Sequence, residues 1–281
     1  MEESSAPEGD VQHQIEQMRG IGRAFGGAII FSLPMLMTLE FWVLGFTIDP
    51  ARLVIFLVVA LPVLTGLSHR IGFEETRRLS DDLVDTAIAL LVGALVAITV
   101  LTSFGALTLD MSLREIVGKV AIQTVPAAIG ALLARSQFGS NRNEVDAEKK
   151  KETFGGEMFL MAVGALFLSL SMAPTEEISL IAYRISPWHA LTITLASMII
   201  VHGFVYAVGF QGGSQPDPVT PWWSELSRFT LPGYLLALAI SLYVLWTFHS
   251  LDNLPLRLVV FHAIILGLPS SVGAAAARLI L

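Results

Sequence analysis

The sequence has no cysteine and few charged residues. None of the 281 residues is Cys, which excludes disulfides, thiol chemistry and Cys-ligated metal sites. Only 15% are charged, against about 25% in an average soluble domain, whereas 54% are apolar and the mean hydropathy is +0.68. The net charge of −7 offers no basic surface for nucleic acid. These values exclude a soluble enzyme, a disordered protein and a nucleic-acid binder, and they predict a multi-pass membrane protein.

The apolar residues fall into runs that are long enough for membrane helices. A bilayer core of about 30 Å needs about 20 mostly apolar residues per helix, and the runs do not alternate as barrel strands do. The sequence therefore predicts an all-α polytopic bundle of eight spans. They lie at about 24–47, 51–68, 86–107, 114–134, 157–182, 187–208, 229–248 and 255–279.

Lysine and arginine predict the orientation of these spans. Residues 1–23 form a polar tail without the basic start of a signal peptide. With eight spans, 12 of the 17 Lys and Arg residues lie on the side of the termini. The positive-inside rule then places both termini in the cytoplasm. The charged segment 136–156 becomes a cytoplasmic linker at the midpoint of the chain.

The two halves of the chain resemble each other. Residues 27–73 align without gaps on 164–210, and 110–135 align on 253–278. The identical pairs include residue types that are rare inside spans, such as Glu40/Glu177 and Pro126/Pro269. We therefore expect two parallel four-helix repeats, 24–135 and 157–281, related by a pseudo-two-fold axis along the membrane normal. The alternative is coincidence favoured by the biased composition.

Two duplicated carboxylates are the first candidate site. Glu40 is followed by the apolar run 41–46, and on a straight helix it would lie about 12 Å below the outer end of span 1. An ionisable residue at that depth is a candidate functional residue. Pro34 and Pro174 predict kinked or broken helices. The A-P-T-E-E segment resembles a helix start with Pro at the first position and acids in the first turn. The alternative is that span 5 ends near Ala173 and leaves its glutamates in water. The predicted ion or proton site comprises Glu40, Glu176, Glu177, Thr38 and Thr175.

Basic residues on spans 4 and 8 are the predicted counter-charges. Glu115, Lys119 and Gln123 recur every four residues and form one polar stripe. Lys119 corresponds to His262 in the second half, and Arg114 corresponds to Arg257. We expect Glu40 to face Lys119 or Arg114, and Glu177 to face His262 or Arg257. Such pairs are either structural ionic clamps or a cation or proton pathway.

Further sequence features carry less information about function. The charged stretch 74–85 is interpreted as a solvated cytoplasmic turn or helix, His69 as an interfacial residue, and His202 as a packing residue. The small residues of spans 4 and 8 predict close helix contacts, including contacts across the pseudo-two-fold. Signatures of NTPases, zincins, serine hydrolases and potassium filters are absent from the sequence.

A family resemblance covers about residues 20–280. The segment F-S-L-P-M-L-M-T-L-E-F-W early in the chain and A-P-T-E-E late in it resemble a bacterial family of integral membrane proteins of unknown function. The resemblance implies a location in the bacterial inner membrane and implies no activity.

Together these features predict a transporter or channel for a small cation or protons, without enzyme activity, cofactor or resident metal. Its partners would be the lipid bilayer and the ion, and a homo-oligomer is left open. The alternative is a non-transporting scaffold or sensor that binds a protein through 136–156 and 74–85. A lipid enzyme is a third class, for which the sequence offers no catalytic arrangement.

Overall fold

The computed structural model describes residues 6–71, 79–138, 154–207 and 226–280, and every regular element among them is helical. The helices are α1 (Ala6–Leu36), α2 (Leu39–Thr47), α3 (Pro50–Ile71), α4 (Leu79–Ser103), α5 (Leu113–Phe138), α6 (Phe154–Met172), α7 (Glu176–Arg184), α8 (Pro187–Ala207), α9 (Leu231–Thr247) and α10 (Leu256–Ile280). A π-helical turn, Leu226–Thr230, directly precedes α9. Most of the linker 136–156 and part of the stretch 74–85 lie outside the described residues.

Seven of these helices are long and apolar enough to cross a bilayer. An eighth span is obtained if Gly20–Leu36 and α2 count as one, although the chain bends by 84° between them. The prediction of an all-helical, multi-span protein is therefore confirmed, with seven or eight candidate spans. The predicted spans 24–47 and 157–182 are each interrupted, because helices end at Leu36 and Met172 and restart at Leu39 and Glu176.

Two helices begin well before their predicted spans. Helix α1 starts at Ala6, so the polar tail is largely helical and continuous with the first span. Helix α4 starts at Leu79, seven residues before the predicted position, with Asp81 and Asp82 in its first turn. Acidic side chains are favourable there because the helix dipole is positive at the N-terminus.

The first compact unit comprises Met1–Phe46 and Val54–Asn143. Its central helix is α5, which packs against α1 and α4. The crossing with α1 is so close that a Cβ built on Gly27 would lie 2.5 Å from the carbonyl oxygen of Gly130. At the crossing with α4, a Cβ built on Gly93 would lie 2.7 Å from the carbonyl oxygen of Thr124. Small residues thus let the backbones of this unit approach closely.

The second unit comprises Thr47–Leu53 and Glu144–Leu281. Its central helix is α10, which packs against α6, α7, α8 and α9. A Cβ built on Gly164 of α6 would lie 2.5 Å from the Cβ of Ala277 on α10. In each unit the small residues of the last helix therefore face the first helix of the same unit.

Candidate functional site

The first helix break lies next to Glu40. Helix α1 ends two residues after Pro34, whose ring removes a backbone donor. The hydroxyl of Thr38 donates to the carbonyl of Pro34 at 2.5 Å, and the indole Nε1 of Trp42 donates to the carbonyl of Leu36 at 2.8 Å. Glu40 lies in the first turn of α2 and is partly exposed. The predicted depth of about 12 Å applies to a span that runs straight through the bilayer, whereas the chain bends by 84° between Gly20–Leu36 and α2.

The second break lies at the aligned position in the other half of the chain, and its threonine also donates to a backbone carbonyl. Thr175 is the N-cap of α7, and its hydroxyl donates to the carbonyl of Met172 at 2.9 Å. Glu176 and Glu177 occupy the first turn, as the A-P-T-E-E motif predicts, and both are exposed on the surface of the described protein. Pro174 precedes the N-cap instead of opening the helix.

Lys119 is buried in the first unit and is fully bonded. Its Nζ lies 2.7 Å from the Oε1 of Glu115, one turn earlier on α5, and donates to the carbonyl of Ala106 at 3.0 Å. A third contact reaches the sulfur of Met111 at 3.5 Å. Within the described residues no ion pair joins Glu40 to Lys119 or to the exposed Arg114, so this predicted pairing is not formed. Lys119 instead holds the connection 104–112 onto α5.

His262 is the buried basic residue of the second unit. Its Nδ1 lies 2.8 Å from the carbonyl of Leu258, which can only accept, so Nδ1 carries a proton. The Nε2 atom lies 3.3 Å from the hydroxyl oxygen of Ser179, and the Tyr183 ring meets the imidazole edge-on. The ion pair predicted between Glu177 and His262 or Arg257 is not formed among the described residues. Arg257 is exposed, and its guanidinium lies 5.1 Å from the ring centre of Phe261.

The helical period of α7 identifies which acid shares a face with the His262 contacts. Ser179 and Tyr183 are three and seven residues after Glu176, so the three side chains form one stripe. Glu177 is only two residues before Ser179 and points to another side of the helix. The carboxylate found only in the second half, Glu176, is therefore the better aligned with His262.

The two units share one arrangement. In each, the short helix that follows a break packs on the last helix at its buried basic residue. In the first unit a Cβ on Gly45 of α2 would lie 2.6 Å from the Cα of Lys119. In the second, Ser179 of α7 bonds to His262. The predicted helices and bases are thus brought together, but among the described residues the predicted carboxylates form no ion pair with the bases.

Gln123 completes the polar stripe of α5 in an unusual state. The residue is completely buried, and neither its Nε2 nor its Oε1 has a hydrogen-bond partner among the residues that the structure describes. Most buried polar groups in proteins are paired. The stripe Glu115–Lys119–Gln123 thus runs from a partly exposed carboxylate to a buried amide.

Buried acids at the other end of the spans were missed. The side chain of Asp82 is 1% exposed and its Oδ2 lies 2.9 Å from the Nδ1 of His69, while Asp85 is also buried. The interpretation of 74–85 as a solvated face is wrong for these two residues. In the second unit Glu157 is buried in the first turn of α6. The described residues contain no group of three His, Cys, Asp or Glu side chains arranged to hold a metal ion.

Threonine hydrogen bonds recur near these acids. Thr86 of α4 donates to Thr65 of α3 at 3.3 Å, and Nδ1 of His202 on α8 lies 2.9 Å from the hydroxyl of Thr230. Thr65 and His202 are aligned positions of the two halves. The interpretation of His202 as a hydrogen-bonded packing residue agrees with this contact.

The fold and its buried polar residues define a polytopic helical membrane protein. Residues 20–281 match the family described as "Putative integral membrane protein (DUF2391)", and the chain belongs to this family. No curated protein and no solved structure matches the chain.

Proposed function

We propose that the protein moves protons or a small cation across the membrane and is not an enzyme. The observation that carries the proposal is the burial of ionisable residues on the central helix of each unit. Lys119 is 6% exposed on α5 and His262 is 1% exposed on α10. Ionisable residues inside membrane spans are energetically costly and commonly mark ion or proton pathways.

In this proposal each unit pairs a buried base with nearby acids. Lys119 is paired with Glu115, and His262 is assigned to Glu176 with Ser179 between them. Glu40 and Glu177 lie at the same two helix breaks, with the hydroxyls of Thr38 and Thr175 beside them. These four residues remain proposed members of the site. Glu40 or Glu177 would reach the bases only if the short helices rearranged.

The proposal includes an internal duplication of the four-helix unit. Three contacts of the described residues support it. The first and last helices cross at Gly27–Gly130 and at Gly164–Gly273, which are aligned positions. The short helix meets Lys119 or His262, also aligned. The bonds of Thr65 and His202 reach Thr86 and Thr230, respectively.

The burial pattern supports the duplication in a region where the sequences show no clear match. With an offset of 144 residues, the buried face of α4 coincides with that of α9. The buried pairs are Thr86/Thr230, Ala89/Gly233, Gly93/Ala237, Ala97/Ser241 and Leu101/Leu245. Helix α4 would thus be the counterpart of α9.

Proton flux into vesicles tests the proposed function. The full chain is reconstituted with a pH-sensitive dye inside, and flux is recorded under an imposed gradient. We expect flux above that of empty vesicles, and its loss in Lys119→Met and His262→Leu. Arg114→Gln and Arg257→Gln test the two exposed residues that were also predicted as counter-charges. Because neither forms an ion pair with Glu40 or Glu177 among the described residues, flux should be unchanged, and its loss would return them to the site.

The acids are tested in the same assay. Glu176→Gln should reduce flux more than Glu177→Gln if alignment with His262 decides the role. Unaltered flux in the double variant Glu40→Gln, Glu177→Gln would remove both residues from the site. Wild-type vesicles without proton or cation flux would overturn the transport proposal itself.

A scaffold or sensor is the second candidate function, favoured by the complete bonding of Lys119. An ammonium that binds a carboxylate and a loop carbonyl can act as a structural clamp. In that case Lys119→Met would lower stability, and no flux would be seen in any variant. The segments proposed to bind the partner lie mainly outside the described residues.

We also propose a bacterial inner-membrane location with both termini in the cytoplasm. The support is the uneven distribution of Lys and Arg over the two sides. Because the chain has no Cys, single introduced cysteines can report the side of each connection directly.

A further inference from the structure

Four residues form a closed ring of backbone and side-chain hydrogen bonds between the start of α3 and the connection 248–255. Both segments belong to the second unit. The backbone N–H of Asp49 donates to His249 Nε2 at 3.0 Å, and His249 Nδ1 lies 2.7 Å from Asp252 Oδ2. Arg52 Nη2 donates to Asp252 Oδ1 at 2.9 Å, and the Arg52 backbone N–H donates to Asp49 Oδ1 at 3.2 Å.

The ring is held in a defined place on the protein. Arg52 Nη1 donates to the carbonyl of Trp246 at 2.6 Å, and the guanidinium lies 5.1 Å from the centre of the Trp246 ring. His249 has a φ of 65°, a backbone conformation that non-glycine residues rarely adopt. Such a conformation persists only when surrounding contacts hold it. The ring supplies those contacts.

The hydrogen-bond directions fix the charge state of His249 in the ring. A backbone N–H can only donate, so Nε2 must be unprotonated, and Nδ1 carries the proton that is donated to Asp252. The imidazole is therefore neutral. Protonation would place an N–H at Nε2 against the N–H of Asp49, and that link would be lost. The bond to Asp252 would remain, because a carboxylate also accepts from an imidazolium.

We infer that this ring is a pH-sensitive latch, closed when His249 is neutral and opened at Asp49 when His249 takes up a proton. The charged groups that face His249 are Asp252 from its own connection, and Arg52 and Asp49 from the start of α3. Arg52 stays charged throughout, and Asp49 faces the ring by its amide while its carboxylate caps α3. Histidine is the side chain whose charge changes between pH 5 and 8.

The carboxylate of Asp252 titrates in a separate pH range. Hydrogen bonds from His249 and Arg52 hold the pKa of Asp252 below its ordinary value of 3.8. Its contribution to the ring is therefore complete above pH 3.8 and is lost only as the pH falls through the lowered pKa. An opening between pH 8 and 5 cannot come from Asp252.

Hydrogen exchange of the Asp49 amide tests the latch in the full-length protein. Fragmentation mass spectrometry resolves this amide, and its protection factor is corrected for the intrinsic pH dependence of exchange. We expect protection to fall about tenfold between pH 8 and 5, the size expected for one lost hydrogen bond. The readout is exchange at one amide and does not depend on transport.

Two variants identify the titrating group. His249→Gln offers a neutral acceptor for the Asp49 amide, so its protection should not change with pH. Asp252→Asn removes the anion that favours the imidazolium, so its opening should move to lower pH. Wild-type protection that is constant from pH 8 to 5, or that falls equally in His249→Gln, would overturn the latch. If His249→Gln does not fold, the latch would be overturned by an Asp252→Asn variant whose Asp49 amide loses protection at the same pH as in the wild type.

Discussion

Substitution of Gly27 by Ala tests the close crossing of α1 and α5 in the first unit. The added Cβ would lie 2.5 Å from the carbonyl oxygen of Gly130 and closer still to the Cβ of Ala134, whereas ordinary contacts at such positions are 3.4–4 Å. Neither a backbone oxygen nor a Cβ can rotate away, so α1 and α5 must separate by more than about 1 Å at this point. Overpacking of this kind typically costs about 1–3 kcal/mol. We expect Gly27→Ala to lower the thermal stability of the purified protein.

Gly26→Ala is the matched control one residue away. A Cβ on Gly26 meets nothing within 4 Å. Both substitutions gain the same helix propensity, about 1 kcal/mol for Gly to Ala. The difference between the two variants therefore isolates the steric term of about 1–3 kcal/mol. A melting temperature lower by about 2–4 °C per kcal/mol is the expected scale.

If the four-helix unit is duplicated, the same loss of stability is expected in the second unit. Gly164→Ala should be destabilising because its Cβ would lie 2.5 Å from Ala277, whereas Gly203→Ala meets nothing within 4 Å. Thermal melts of the four variants in one detergent provide the measurement. Equal melting temperatures for Gly26→Ala and Gly27→Ala would refute the close crossing, and an effect in one unit alone would count against equivalent packing of the two halves.

Three further predictions concern stability and topology. Gln123→Leu should stabilise the protein by about 1–2 kcal/mol in thermal melts, because it removes two unpaired buried amide atoms; a loss of stability would contradict their unpaired state. Lys119→Met should cost roughly 3 kcal/mol, because Glu115 loses its partner, and Glu115→Gln in the same chain should restore part of it; full additivity would speak against the pair. Cysteine at Ser112 should react with an impermeant maleimide in intact cells, and cysteine at Met18 should react only after permeabilisation; the reverse pattern would invert the proposed orientation.

The helical architecture could be predicted because composition alone determines it. Runs of about 20 apolar residues leave few alternatives to membrane helices, and most predicted spans correspond to long helices. Pro34 and Pro174 correctly indicated where helices break, but a proline does not specify the bend angle. The depth of Glu40 depends on that angle, so the sequence alone does not determine it.

The pairing of charges was harder to predict than their location. The sequence placed Glu115 and Lys119 four residues apart on one helix, where pairing needs no tertiary arrangement. The expected partner, Glu40, required a precise fit between two helices, and the local partner prevailed. Residues 82, 85, 86 and 89 have the i, i+3, i+4, i+7 spacing of a buried helix face. That spacing was the available signal for the burial of Asp82 and Asp85, and the high charge of the stretch obscured it.

Under the proposed duplication, packing positions and polar positions have diverged to different extents. Gly27 and Gly164 are identical, and both stand where the backbone of the last helix leaves no room for a side chain. At the polar positions Lys119 corresponds to His262, and Gln123 corresponds to Leu266, which is also fully buried. The sterics of the crossing restrict the first kind of position, whereas several side chains can satisfy the second.

This difference has a consequence for the proposed transport. A lysine ammonium can only donate hydrogen bonds, whereas an imidazole has two ring nitrogens that can donate or accept. The two units would then provide different chemistry on one scaffold, with a donor-only ammonium in the first and a donor–acceptor imidazole in the second. Flux lost in His262→Leu should therefore return partly in His262→Gln only if His262 serves as a hydrogen-bonding residue. If proton exchange at His262 is the step required, the glutamine variant should be as inactive as the leucine variant.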